Sequence, residues 1–254
     1  MSRRLVIRIT QLVVVLACAL GMKFYYSTAT VDELRWILAP TTFVVEIVTG
    51  SQFAFEAHAG YMKNDHTFLI AASCAGVNFL ITAFLMLALS QLWKNRSSEC
   101  GRDLKQIFTD WSFLPVAALS AYLTTIIANT IRISTALLHH SSKDATWLDR
   151  EQLHRVEGIV VYFGVLLALF MLTEGISSRT GSGRMLRHDR SRNITRPYII
   201  PLVIYYATTL GVPILNGATQ RTDFWEHASF VLLMPLLLIG LVFAFHISLR
   251  RVSD

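Results

Sequence analysis

Charge is the scarcest commodity in this sequence. Only 16% of its 254 residues are Asp, Glu, Lys or Arg, while 53% are hydrophobic; a soluble domain carries about 25% charged residues. Cysteine is rare as well. Cys18, Cys74 and Cys100 have spacings that fit neither a zinc motif nor a disulfide framework. There is no His-Glu-x-x-His run, which removes the commonest metalloprotease signature. There is no Gly-x-Ser-x-Gly elbow, which removes the commonest serine hydrolase signature. No cofactor or metal is expected. No internal repeat and no shift of composition marks off a separate soluble domain.

The apolar residues are gathered into long runs of about 17–25 residues, the length needed to cross a hydrocarbon core as a helix. They show no polar–apolar alternation, so of the two structures that satisfy the backbone in lipid, helices are favoured over a barrel. The first run, Leu5 to Tyr26, follows Arg3 and Arg4. Ala17-Cys18-Ala19 has the small-residue spacing of a signal cleavage site, but the run continues through Leu20, Met22, Phe24, Tyr25 and Tyr26. That exceeds a usual signal h-region, so a retained helix is expected. Further spans are predicted at Phe68–Trp93, Phe113–Leu138, Val156–Ser177, Tyr198–Leu215 (bent by Pro201 and Pro213) and Ser229–Leu249 (with Pro235 inside). Leu34–Val48 is apolar but short and carries Arg35, Pro40 and Glu46; it reads as a re-entrant or interfacial helix capped by Gly50. Ser51–Asp65 is polar and expected to face solvent. The predicted fold is all-α: one membrane-embedded domain over residues 1–254, with about six transmembrane helices plus the re-entrant or interfacial one.

The net charge of +6 and pI of about 9.4 could suggest nucleic acid, but the positive residues sit in short links between apolar runs. With the N-terminus inside, the inner segments hold 15 of the 23 Lys and Arg residues: Arg3, Arg4, Arg8, Lys94, Arg96, Arg102, Lys105, Arg179, Arg184, Arg187, Arg190, Arg192, Arg196, Arg250 and Arg251. Positive links of this kind lie on the cytoplasmic side. The Gly- and Ser-containing link from Arg179 to Arg196, with six arginines, is the strongest single signal. Both termini are therefore expected in the cytoplasm.

This topology brings chemistry to the opposite, outer side. Cys74 falls about seven residues into the second span, roughly 10 Å below its outer end at about 1.5 Å per residue. Arg132 lies at a similar depth in the third span, and His154 just before the outer end of the fourth. An arginine within a span is costly unless it snorkels or faces a polar cavity. Asn129, three residues earlier, shares its helix face and favours the cavity. A lone buried cysteine is ordinarily a small hydrophobe. Here Ser73, Ala75 and Gly76 leave room around Cys74, with Asn78 on the next turn. A nearby cation favours the thiolate, the nucleophilic form. An interfacial histidine is ordinarily just solvated, yet beside a thiol an imidazole is the natural general base. His66, His139 and His140 are rivals to His154, and Glu151 and Glu157 could orient or tune the ring. Cys18 has no polar company, and Cys100 lies in a cytoplasmic loop.

Three blocks carry a resemblance: Ser73-Cys74-Ala75-Gly76-Val77-Asn78-Phe79, Asn129-Thr130-Ile131-Arg132-Ile133 and His154-Arg155-Val156-Glu157-Gly158. In order and in topology they resemble the blocks of the exosortase/archaeosortase family, which read roughly C-[SA]-G-[IV], N-x-x-R and H-x-x-x-G. The resemblance covers about residues 40–177, and the Cys-Ala-Gly-Val-Asn-Phe form looks most like the exosortase K subtype. The N-terminal part and the last two spans, at 198–249, match nothing diagnostic. The resemblance implies a membrane-embedded cysteine protease or transpeptidase of a bacterial inner membrane. Its substrates would be exported proteins ending in a short motif, a transmembrane helix and a basic cluster, like the PEP-CTERM tail, cut at the extracytoplasmic face and passed to water or an acceptor. It implies Cys74 as nucleophile, Arg132 as electrostatic stabiliser and His154 as acid/base, with Ser73, Gly76, Asn78, Asn129 and Glu157 in support. The competing reading is a small transporter or structural membrane protein, with Arg132 and Asn129 lining a polar cavity and Cys74 as packing.

Overall fold

The computed structural model describes residues 3–94, 111–141, 150–179, 196–220 and 224–253. Cys100, most of the basic links, and the side chains of His139, His140, Glu151 and His154 lie outside the described residues. The chain forms two compact units, Met1–Ser142 and Lys143–Asp254. Six helical segments are long and apolar enough to cross a membrane: Leu5–Thr28, Ala72–Trp93, Phe113–Leu138, Arg155–Ile176, Tyr198–Leu215 and Phe224–Ala244. They match the hydropathy runs, and the chain is a multi-pass membrane protein.

The first unit contains α1 (Arg3–Thr28), α2 (Arg35–Thr49), strands β1 (Phe53–Glu56), β2 (Gly60–Lys63) and β3 (Leu69–Ile70), a 3-10 turn (Ala72–Ala75), α3 (Val77–Lys94) and α4 (Phe113–Ser141). Helix α3 packs against both α1 and α4. Its apolar residues run all the way round, from Phe79, Leu80 and Ile81 to Phe84, Met86 and Leu87, which is the pattern of a buried helix. Accordingly 67% of its span is buried, against 17% for the span in α1. Leu12, Val13, Leu16, Leu20 and Phe24 of α1 are exposed, a surface suited to lipid.

The short segment before the second span is a helix, as its composition predicts. Gly50 ends α2 in the left-handed conformation (φ 68°), and its N–H donates to the Glu46 carbonyl at 2.9 Å. Gly adopts this geometry without the Cβ penalty other residues meet. One face of α2 buries Ile37, Leu38, Thr41, Thr42 and Val45, while Phe43, Ile47 and Val48 are exposed.

The segment after Gly50 corrects the expectation of a plain solvent-exposed stretch. It folds back as an antiparallel sheet in the order β1-β2-β3, with Phe55 opposite Tyr61 and Tyr61 opposite Ile70. The Phe55 and Tyr61 rings meet edge to face at 5.1 Å. The two charged residues of α2 hold this sheet. Arg35 lies 4.2 Å from the Phe55 ring centroid, and the Glu46 carboxylate accepts a hydrogen bond from the Phe53 N–H at 2.8 Å. Ile70 is wholly buried in a core with Val31, Leu34, Ile37, Leu38, Val45, Ala75 and Ile133. Phe53, Tyr61 and Phe68 pack on the edge of that core.

The second unit contains α5 (Arg150–Arg179), α6 (Arg196–Tyr206) and α7 (Phe224–Ser253). Helix α6 continues through a π turn, Ala207–Gly211, into a last helical turn, Val212–Leu215. Such turns leave carbonyls displaced from the regular ladder. The hydroxyls of Thr208 and Thr209 donate to the Tyr205 carbonyl at 3.0 and 2.6 Å. Tyr206 donates to the Leu232 carbonyl of α7 at 2.7 Å, close to the helical proline Pro235. Phe163 of α5 meets Tyr205 edge to face at 5.3 Å.

Candidate functional site

Strand β3 delivers the chain to Ala71, which is extended (ψ 177°), and the chain then tightens into the 3-10 turn that carries Ser73 and Cys74. The Cys74 N–H donates to the Ala71 carbonyl at 2.9 Å. Cys74 therefore lies within the second span, as hydropathy placed it, but on the 3-10 turn that opens the span ahead of α3. The reason is Gly76. It sits in the left-handed conformation (φ 67°), breaks the backbone path and lets α3 begin at Val77. Ser73 is exposed and Cys74 half-buried against the core.

What lies over Gly76 is Asn129. A Cβ on residue 76 would lie 2.8 Å from Asn129 Cγ and closer still to its amide nitrogen and oxygen. The space left by the missing side chain is thus filled by α4, not by an open path to the thiol. The Asn129 amide donates to the Ala75 carbonyl at 2.9 Å, and Asn129 is 1% exposed. A buried bond of this kind contributes about 1 kcal/mol net, and leaving the carbonyl unpaired costs about 1–3 kcal/mol. Asn129 is consequently a clamp between the cysteine turn and α4, rather than a cavity-lining group.

One helical turn beyond the clamp, α4 carries Arg132, which is half-buried. Sequence spacing alone assigned matched depth to Cys74 and Arg132; the Asn129–Ala75 bond provides their common anchor. Asn78, expected in support of Cys74, instead faces α1. Its side-chain oxygen accepts a hydrogen bond from the Lys23 ammonium at 2.8 Å.

A residue that sequence reasoning passed over joins this group. Tyr26 stands one turn after Lys23 on α1, and Lys23 is bonded to Asn78 at the start of α3. Tyr26 and Cys74 border the same core cluster, and the Lys23 ammonium lies 5.9 Å from the Tyr26 ring centroid. An aromatic near the end of a span reads as a membrane-interface anchor, so nothing in the pattern distinguished it.

His154 and Glu157 belong to the second unit, on α5, with Glu157 half-buried. His66 is exposed in the β2–β3 turn (φ 56°). Cys18 is exposed on α1. No group of His, Cys, Asp and Glu able to hold a metal ion occurs among the described residues.

Outside the spans, two carboxyls among the described residues are held below their ordinary range. Asp65 accepts from the Lys63 ammonium at 2.7 Å, which is the largest cause, and from the Thr67 hydroxyl at 2.6 Å and N–H at 3.1 Å. Glu33 accepts from the Thr30 N–H at 2.7 Å and hydroxyl at 3.0 Å. Both brace turns, the first within the sheet and the second between α1 and α2.

The six spans define the class, a multi-pass membrane protein. Comparison with family models, curated proteins and solved structures finds no match to this chain.

Proposed function

We propose that this chain is a membrane-embedded cysteine protease or transpeptidase of the exosortase/archaeosortase type, with Cys74 as nucleophile. The observation that carries the reading is the Asn129–Ala75 hydrogen bond, which ties the cysteine turn to the helix of Arg132. The blocks around Cys74, Arg132 and His154, in that order, support the same reading. The membrane is a bacterial inner membrane with both termini cytoplasmic, and the site opens on the extracytoplasmic face. The substrates are exported proteins with a C-terminal motif, a transmembrane helix and a basic cluster.

In this mechanism the Cys74 thiolate attacks a peptide carbonyl beside the substrate's membrane helix. A C–S bond forms and the carbonyl electrons move to oxygen. Arg132 stabilises that oxyanion; preorganised charge of this kind is worth about 3–4 kcal/mol. His154, having taken the proton of the Cys74 thiol, gives it to the leaving amine as the C–N bond breaks, and water or an acceptor amine resolves the thioester.

The test is a tail-bearing reporter co-expressed with the protein, read by mass spectrometry of its C-terminus. Cys74→Ala is expected to abolish the new C-terminus ahead of the membrane helix. Normal processing by that variant removes Cys74 as the nucleophile. Survival of Cys74 labelling by a thiol-directed activity probe in Arg132→Ala and His154→Ala proteins would favour the transporter reading instead.

A further inference from the structure

We infer that the Tyr26 hydroxyl is a second oxyanion donor, acting beside Arg132 on the carbonyl that Cys74 attacks. The inference deepens the cysteine-peptidase reading and rests on it. Three observations carry it.

The first is placement. The last turns of α1 are fixed against the start of α3 by the 2.8 Å bond from Lys23 to Asn78, four residues beyond Cys74. Tyr26 follows Lys23 by one turn, and its side chain borders the same core as Cys74. The second is the pairing of elements: the Lys23–Asn78 bond sets the end of α1 beside the start of α3, and the Asn129–Ala75 bond sets the turn just ahead of it against the helix of Arg132. Three elements, α1, the cysteine turn and α4, thus each bring one polar group to one end of the first unit. The third is availability. Among the described residues, neither the Tyr26 hydroxyl nor the Cys74 thiol makes a hydrogen bond. Tyr25, its neighbour, is committed elsewhere, donating to the Glu33 carbonyl at 3.1 Å.

Chemistry selects the role. A tyrosine phenol keeps its proton at neutral pH, so it donates to developing negative charge and does not serve as the base. An arginine alone gives charge without a full cage. Oxyanion sites draw on two or more preorganised donors, and each is worth most where water is excluded. Tyr26 and Cys74 are both half-buried at the border of an apolar core.

The test needs no knowledge of the natural substrate. Full-length protein carrying Cys18→Ser and Cys100→Ser, in lipid nanodiscs, is treated with two small reagents, and modification of Cys74 is followed by mass spectrometry. With 4-nitrophenyl acetate, a C–S bond forms through a tetrahedral oxyanion and 4-nitrophenolate leaves. With iodoacetamide, a C–S bond forms as iodide leaves, and no oxyanion arises at the reacting carbon. Tyr26→Phe is expected to slow acylation by about 10–100-fold and leave alkylation within about twofold. A fluorinated tyrosine at position 26, a stronger donor of nearly the same shape, is expected to acylate faster than the unmodified residue, which guards against loss of fold in the phenylalanine variant.

Equal effects of Tyr26→Phe on both reagents, or no effect on either, overturn the donor role while leaving Cys74 as the nucleophile. Failure of Cys74 to react with either reagent in the Tyr26 protein overturns the cysteine-peptidase reading itself, and this inference with it.

Discussion

The cysteine-bearing end of the first unit and the bundle of the second unit are held by different means. At the first, polar contacts join elements far apart in sequence: Asn129 to Ala75, Lys23 to Asn78 and Tyr122 to the Trp36 carbonyl at 2.8 Å. In the second, the hydroxyls of Thr208, Thr209 and Ser229 return to carbonyls three or four residues back on the same helix, and Tyr206 donates across helices to the Leu232 carbonyl. Long-range polar contacts fix a geometry, because each has one acceptable distance and angle. Packed apolar surfaces and local back-bonds tolerate small shifts. The long-range contacts of the first unit hold a defined arrangement of side chains, and two of them coincide with the cysteine turn and the start of its helix.

Glycines break that comparison most sharply. Gly76→Ala places a Cβ at positive φ and into Asn129, so a loss of about 2–4 kcal/mol is expected from strain and overlap together. Gly164→Ala, in α5, meets nothing within 4 Å and exchanges glycine for the best helix former, a gain of up to about 1 kcal/mol in a helix interior. Denaturant unfolding in micelles checks both; equal losses would remove the distinction between the units.

The next largest effect separates the two kinds of hydrogen bond. Asn129→Ala is expected to cost about 1–3 kcal/mol, because it leaves the buried Ala75 carbonyl without its donor, and to change the iodoacetamide reactivity of Cys74. Tyr206→Phe is expected to cost about 0.5–1.5 kcal/mol and leave Cys74 reactivity unchanged. Combining Gly76→Ala with Asn129→Ala sharpens the point. Asn129→Ala opens the space the new methyl needs, so the pair is expected to cost less than the sum of the two.

The smallest expected effect is acid sensitivity of the sheet. The folded Asp65 carboxyl is held below its unfolded value by Lys63 and Thr67. Its contribution is therefore complete above the unfolded value, about 3.9, and is lost as pH falls below it toward the folded one. Acidification from pH 5 to pH 2 is expected to reduce the exchange protection of the Thr67 amide, after correction for intrinsic rates. Asp65→Asn is expected to show the reduced protection already at pH 5. The amide protection of α5, in the second unit, is the internal control.

Much of the fold was legible because hydropathy reports directly on which backbone can survive in lipid. The spans at Phe113–Leu138 and Tyr198–Leu215 have the same limits in structure as in sequence, and Gly50 announced the end of α2. The sheet was not legible. Phe53-Ala54-Phe55-Glu56 alternates for only four residues and β3 for two, too few to rise above a polar loop. Of the candidate site, Cys74 and Arg132 stood out by type and position. The support they receive did not: Asn129 looked like a cavity group and acts as a clamp, Asn78 looked like a partner of Cys74 and binds Lys23, and Tyr26 looked like an interface anchor.

The sequence by itself determined that this chain crosses a membrane with six helices, since composition along a run decides whether it partitions into lipid without reference to any other part of the chain. It also determined that Gly76 follows Cys74 and that Asn129 precedes Arg132 by one turn. Only the tertiary structure decided that Asn129 sits on Gly76, that Cys74 rides on a turn ahead of its helix, and that α1 brings Tyr26 to the same end. Contacts between helices depend on how each is rotated about its axis, and apolar runs facing lipid on one side and protein on the other do not record that rotation.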